Sequence, residues 1–437
     1  MFNNTGYASM HRMPATLRWL LGAGLSLCVI SATAAPAGWG KTSEPMAPLS
    51  LQAAIALTLS ASPEASAAQL EVDAFEGVML QAKARPNPEI SALMEDTRSA
   101  SRVTTLQVNQ AIELGGKRDA RIGAAAKSLD VATVELASKR AEIRAVVVTA
   151  FFDVLIAQER WQLAKSLTEL SQRATDATKR RVLAGKVSPV EEVKAKVAEA
   201  NVRIELSQAE SELLSARRRL TAMWGNPYPQ FGEALGDIES LPSLPEMSDF
   251  QARLPNAPLM QRARAEIEHR QAIAELERRR GVPDLTLSLG ARRNEELGLN
   301  QAIIGISIPI PLFDRNQGNQ IEAMRRTDKA REELTATEFR LSNELAQNHE
   351  RLATSRREVE TLRQDIMPSA LSAYDSTSRG FELGKFNFLD VLDAQRTLFQ
   401  AKSQYLRALA EAHRSAASLE RILGSVDATA SHASTQP

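Results

Sequence analysis

The sequence predicts a mainly α protein with a small β part, in which one unit of strand–strand–long helix–turn–helix is written twice. Three observations predict it. Matching motifs recur at a nearly constant offset. One stretch, Ala124 to Ala184, contains neither Gly nor Pro. Four short segments alternate apolar and polar residues with a period of two.

The N-terminus reads as a targeting segment. His11, Arg12 and Arg18 precede an apolar run from Trp19 to Ile30, and Ala32, Thr33 and Ala34 follow. That is a basic region, a short apolar core and an A-x-A cleavage site. A signal peptide is expected over 1–34 and an unstructured, Pro/Gly-rich leader over 35–48. Leu27 before Cys28 is larger than a lipoprotein signal accepts, which favours cleavage after Ala34 over a lipid anchor.

The body is duplicated. Ser62-Pro63 resembles Ala257-Pro258, and Pro88-Glu89-Ile90 resembles Pro283-Asp284-Leu285, each about 195 positions later. Gly185-Lys186 matches Gly384-Lys385, and Leu220 and Gly225 match Leu419 and Gly424, each about 199 positions later. The expected repeats are 49–225 and 256–424, joined by a Pro-rich linker or equatorial segment over 226–255, with a disordered tail over 425–437.

Each repeat begins with a helical stretch, Leu51 to Ala84 and Ala257 to Arg280. The long helices are expected over Lys117–Leu183 and Asn319–Leu383, with partners over Pro189–Trp224 and Phe388–Leu423. Leu129, Leu136, Ile143, Ala150, Ala157 and Ala164 recur every seven residues, the seam of a coiled coil. At 1.5 Å per residue the first long helix is roughly 100 Å. Pro368 interrupts the second. Gly185 and Gly384 fit the left-handed position that ends a helix. Ser188-Pro189-Val190-Glu191 and Asn387-Phe388-Leu389-Asp390 read as capping boxes that start the next helix.

The alternating segments have one oily and one wet face. Leu285, Leu287, Leu289 and Ala291 carry one oily side, and Ile304, Ile306, Ile308 and Ile310 another. Ile90, Ala92 and Met94, then Leu106, Val108, Ile112 and Leu114, do the same in the first repeat, with Gln110 interrupting. Arg98–Arg102 and Arg292–Asn300 read as the polar loops between paired strands. Each segment has the length of a tilted transmembrane strand. No segment in the sequence pairs with the oily faces to cover them, as a water-soluble sandwich requires. Four strands cannot close a barrel, and an open edge cannot sit in lipid. Two chains would give eight strands and three would give twelve.

Composition removes other classes. Lys+Arg and Asp+Glu both number 53, so no net field attracts nucleic acid. One Cys excludes a disulfide scaffold and a zinc ribbon. His269, His349 and His413 have no neighbouring His or Cys and read as surface helix residues. No nucleophile elbow, phosphate loop or ligand cluster is visible, so no catalytic residue, cofactor or metal site is expected.

The pattern resembles the TolC-type outer-membrane factors over nearly all of the body. Asp390-Val391-Leu392-Asp393-Ala394, then Thr397-Leu398 and Ala401-Lys402, is similar to that family's second tip hairpin. Glu113-Leu114-Gly115-Gly116-Lys117-Arg118 and Pro311-Leu312-Phe313-Asp314-Arg315-Asn316-Gln317-Gly318-Asn319 resemble the junctions of its heavy-metal branch, which includes cobalt–zinc–cadmium resistance. The resemblance implies a homotrimer in the Gram-negative outer membrane, with a twelve-stranded β-barrel continued by a periplasmic α-helical barrel. It implies two partners, a periplasmic adapter and a proton-driven inner-membrane pump of the resistance-nodulation-division class.

On that footing the strand residues Leu285, Leu287, Leu289, Ile304, Ile306 and Ile308 are expected to face lipid. Gly185, Lys186, Ser188, Val190, Gly384, Lys385, Asn387 and Leu389 are expected to meet the adapter. Asp390 and Asp393, three apart, share a helix face. Three copies would set six carboxylates around one axis at the closed entrance, favouring cations. The N-terminus of their helix alone also favours both acids. Related tips carry an Arg four residues before the first acid, where this chain has Phe386. The expected function is export of divalent heavy-metal cations. Alternatives are a duct for drugs or other small molecules, and a periplasmic helical adapter, which typically has one hairpin rather than two.

Overall fold

The computed structural model describes residues 48–424, apart from the side chains of Phe388 and Leu389. The expected signal peptide, nearly all of the leader and the C-terminal tail lie outside the described residues.

The elements follow the duplicated order. The first repeat has β1 (Leu49–Ser50), α1 (Leu51–Ala61), α2 (Pro63–Lys83), β2 (Glu89–Glu95), β3 (Val103–Ile112), α3 (Lys117–Leu183) and α4 (Pro189–Ala222). The connecting segment holds β4 (Ala234–Leu235), α5 (Met247–Arg253) and a 3-10 turn, Leu254–Asn256. The second repeat has α6 (Pro258–Arg280), β5 (Leu285–Asn294), β6 (Leu299–Ser307), α7 (Gln317–Thr361), a π turn (Leu362–Ile366), α8 (Met367–Glu382) and α9 (Phe388–Leu423).

Local chemistry sets the boundaries. Ser62 caps α2 through Ala65 N–H, and Pro63 takes the first helical position, where a missing N–H costs nothing. The long helices start from left-handed residues at equivalent places, Gly116 (φ 72°) and Asn316 (φ 61°). Pro368 cannot donate to the helical ladder, and the chain answers just before it. Leu362–Ile366 winds wider, and Met367 N–H reaches the Leu362 carbonyl five residues back.

The main sheet is antiparallel in the order β2-β3-β5-β6, so its centre is a pairing between repeats. Val108 faces Leu289, and Leu287 faces Ile306. The helices next to it repeat that order: α2 packs on α3, α3 on α6, and α6 on α7. Towards the hairpin turns, α4 and α9 pack on α3, and α8 on α9.

The two main cores lie where the connecting segment crosses the helices. One gathers Val147, Phe151 and Val154 of α3 with Leu220, Trp224, Leu409 and the segment's Phe231, Ala234 and Ile238. The other joins Phe250 and Leu254 to Leu341, Leu345, Leu352 and Ile422. The segment is thus an ordered strap. A strap without regular structure needs donors for its backbone carbonyls, and helix side chains supply them. Gln158 donates to Ala234 O at 3.1 Å and accepts from Ala234 N at 2.8 Å. Arg217 donates to Gly232 O at 2.7 Å, and Arg356 to Pro242 O.

Two histidines complete the strap, which corrects their assignment to the surface. His413 is buried, donates Nε2–H to Ile238 O at 2.9 Å and stacks on Phe152 with 3.8 Å between ring centres. His349 is half-buried and bonds Pro245 O at 3.2 Å. His269 is also half-buried, with Nε2 2.9 Å from Ser128 Oγ. Their burial was not legible because the partners lie far away in sequence.

Candidate functional site

The sheet's register sorts its residues by face. Ile90, Ala92, Leu106, Val108, Leu285, Leu287, Leu289, Ile304 and Ile306 share one face, since paired residues of antiparallel strands point the same way. This face is bare among the described residues: Ile304 is 81% exposed, Ile90 73% and Ile306 69%. The opposite face is wet. Asn109 donates to Ser91 Oγ at 3.2 Å and accepts from Ser288 Oγ at 2.7 Å, a polar ladder across three strands. Gly290 sits on that face with Leu106 O 2.5 Å from where a Cβ would stand. Neither β2 nor β6 has a partner on its outer edge among the described residues.

Two expectations about the strands change. Ile308 lies beyond β6, which ends at Ser307; Pro309 and Pro311 remove the donors that would continue the ladder. The polar loop 292–300 is shorter than expected, because Arg292–Asn294 pair with Leu299–Gln301 across a turn at 295–298. Asp96 closes the other turn in a left-handed conformation (φ 62°), accepting from Arg98 and from Ser101 Oγ at 2.6 Å. Those bonds hold its carboxyl far below the usual carboxylate range.

The far ends of the hairpins are built alike. Gly185 (φ 66°) and Gly384 (φ 73°) are left-handed. Lys186 N–H returns to Arg181 O at 2.9 Å, and Lys385 N–H to Gly380 O at 2.7 Å. The caps that follow differ. Asn387 and Asp390 form the full box, each side chain taking the other's backbone N–H at 3.0 Å. Ser188 takes only Val190 N–H, at 3.3 Å, and Glu191 does not reciprocate, so the expected first box is a simple cap. Gly185, Lys186, Ser188, Val190, Gly384, Lys385 and Asn387 are all exposed. The Leu389 side chain lies outside the described residues.

Asp390 and Asp393 lie one turn apart but differ in duty. Asp390 is half-buried and committed to the cap. Asp393 is exposed and lines a cavity of about 560 Å³ between α4 and α9 with Lys194, Glu205 and Arg396. Burial pushes the Glu205 carboxyl up, and Arg396 opposes it.

One contact at the tips had no sequence signal. Arg181, in the last turn of α3, places Cζ 3.8 Å from the ring centre of Phe381 in α8. Its Nη2 also donates to the Phe381 carbonyl and to that of Glu382 at 3.4 Å. No helix among the described residues is long and apolar enough to cross a membrane.

Comparison with known proteins gives one family. The outer membrane efflux protein family matches residues 54–226 and 250–425. The cobalt-zinc-cadmium resistance protein CzcC of Cupriavidus metallidurans is 48% identical over 87% of this chain and 91% of its own. The nickel-cobalt-cadmium resistance protein NccC of Alcaligenes xylosoxydans xylosoxydans is 27% identical over 58% of this chain and 59% of its own. Among solved structures, the outer membrane protein VceC of Vibrio cholerae superposes with a TM-score of 0.72 at 19% identity, covering 86% of this chain and 96% of that one.

Proposed function

The chain belongs to the outer membrane efflux protein family, and from that membership we propose that it is the exit duct of a tripartite pump that exports divalent heavy-metal cations across the outer membrane. The observation that carries the duct is the sheet: among the described residues it has an oily face with nothing over it, a wet face behind it, and two unpaired edges. Such a sheet is stable in lipid only when other copies close it. An eight-stranded barrel is filled by its own side chains, so two copies would leave no passage. Three copies give twelve strands and a lumen lined by the Asn109–Ser288 face. The row α2, α3, α6, α7 continues it as a twelve-helix tube. Exposed Leu70 and Leu80 on α2, and Ile321, Met324 and Phe339 on α7, fit as contacts between neighbours.

At the other end, the paired turns at Gly185–Val190 and Gly384–Leu389 are the docking points for a periplasmic adapter, which joins the duct to a proton-driven inner-membrane pump of the resistance-nodulation-division class. Asp393 lines the narrowing there, and Asp390 adds its charge while capping the helix. The cargo follows the names of CzcC and NccC.

Deleting the gene and scoring tolerance to zinc, cobalt, cadmium, nickel, copper and organic drugs tests the assignment. Lost tolerance confined to divalent metals is expected. Lost tolerance to drugs alone would replace it with a drug duct.

A further inference from the structure

The sheet is short for a membrane. On its oily face the row Thr104, Arg293 and Asn300 is polar, and the apolar band begins one row on, at Ala92, Leu106, Ala291 and Ala302. A strand tilted as in outer-membrane barrels descends roughly 13 Å from Ala302 to Ser307, where β6 ends, and roughly 8 Å from Ala92 to Glu89, where β2 begins. The apolar band of such barrels is about 25 Å tall, so each edge strand covers at most about half of it.

The chain stays apolar where the ladder stops. No charge occurs from Ile308 to Phe313, and Asp314 and Arg315 follow at once. On the other edge, Arg85 stands just before Pro86 and Pro88. Carried on through 84–88 and 308–312, both edges reach roughly 20–25 Å. Ile310 is 78% exposed and Phe313 90%. Phe313 is the only aromatic residue in 84–116 and 281–316. An aromatic ring suits the boundary between hydrocarbon and headgroups. The backbone fits hydrocarbon as well. Pro86, Pro88, Pro309 and Pro311 have no N–H to leave unpaired. Gln110, which interrupts the oily face, donates to Pro86 O at 3.0 Å. Leu312 N–H closes on Ile310 O at 2.9 Å, and Arg315 Nε donates to Pro311 O at 3.2 Å.

We propose that the proline-rich junctions 84–88 and 308–313 are immersed in the periplasmic leaflet of the outer membrane, where phospholipid acyl chains cover them. The proposal rests on the exit-duct reading, in which a ring of copies closes the sheet in that membrane. A neighbouring copy adds to the sheet's edges and not to its oily face, so lipid is the cover that remains. The membrane boundary then lies at Arg85, Phe313 and Arg315, well below the last rung of β6.

Spin-label accessibility tests it, on the full-length protein in phospholipid vesicles. Cys28 is the only cysteine, so a Cys28→Ser background carries Ile304→Cys, Ile310→Cys, Leu312→Cys or Lys186→Cys, each labelled with a nitroxide. Heat-modifiable oligomer is measured alongside. The ratio of oxygen to nickel-chelate accessibility at Ile310 and Leu312 is expected to match that at Ile304. It should exceed the ratio at Lys186 about tenfold or more, because hydrocarbon excludes the polar chelate. Labels open to the chelate at Ile310 and Leu312, with Ile304 shielded from it, overturn the immersion and leave the duct standing. Labels shielded from both reagents at Ile310 and Leu312 overturn it in favour of cover by protein. If Ile310→Cys fails to accumulate, Leu312→Cys decides alone. A label open to the chelate at Ile304 overturns the duct reading, and the immersion with it.

Discussion

Asp284 ties the two repeats together at the start of the first long helix: its Oδ1 lies 2.7 Å from Lys117 Nζ and accepts the Leu114 N–H at 3.2 Å. The Lys117 side chain is 12% exposed and that of Asp284 39%. Asp284→Asn leaves Lys117 without its counter-charge. Discounted for the solvent around Asp284, the cost is about 1 kcal/mol. Adding Lys117→Met is expected to recover part of it, since no charge is then stranded. The midpoint of heat-modifiability on gels reads both; equal midpoints for single and double variants would contradict the argument.

Two left-handed glycines are expected to respond differently to alanine. At Gly115 (φ +69°) a Cβ would stand 2.8 Å from Val282 Cβ, while at Gly185 (φ +66°) it meets open space. Gly185→Ala bears only backbone strain, about 1 kcal/mol. Gly115→Ala adds a clash at the strand–helix junction and is expected to cost about 3 kcal/mol or more. Comparing the yield of folded oligomer for the two separates strain from clash.

Burial pushes the His413 imidazole below its ordinary value of 6.5, against a smaller upward pull from its bond to Ile238 O and from Asp237. A lowered histidine favours the fold fully above the unfolded value. That contribution is lost as pH falls below 6.5 towards the folded value, because the unfolded chain takes up the proton first. His413→Gln is expected to flatten the fall in melting midpoint below about pH 6.5. A wild-type slope retained in the variant would move the effect elsewhere.

Asp390 and Asp393 are expected to separate by phenotype. Asp393→Asn removes an exposed charge and should weaken block by a trivalent cation several-fold with little change in stability. Asp390→Asn touches the capping box, so its main effect should be a loss of about 1 kcal/mol. Asn387→Ala should share that loss without altering block. Titrating single-channel current with a trivalent cation, alongside melting, distinguishes the three.

The helical frame was legible because its punctuation is local. Gly116 and Gly185 bracket α3, and Asn387 starts α9, so the expected limits Lys117–Leu183 and Phe388–Leu423 agree with the structure. The period-two pattern likewise found the four strands of the main sheet, but not the two-residue β1 and β4. What escaped depends on distant partners. The connecting segment reads as a Pro-rich linker, yet Arg356, His349 and His413 hold its carbonyls from more than about 100 positions away. Ile308 continues the alternation by type, but Pro309 next to it ends the ladder. The Arg181–Phe381 contact joins helices from different repeats, and no spacing rule reaches that far.

The sheet's two rims are unlike, β2 on one side and β6 on the other, so every seam in a ring of copies joins one chain's β6 to the next chain's β2. A chain damaged only along β2 still offers a sound β6 and still enters the ring, where it leaves one seam open to lipid. When such a chain is made in equal amounts with the normal one, random mixing leaves only about one ring in eight intact. Mutations along that rim should therefore behave as dominant in genetics, whereas those that stop a chain from folding at all should be recessive.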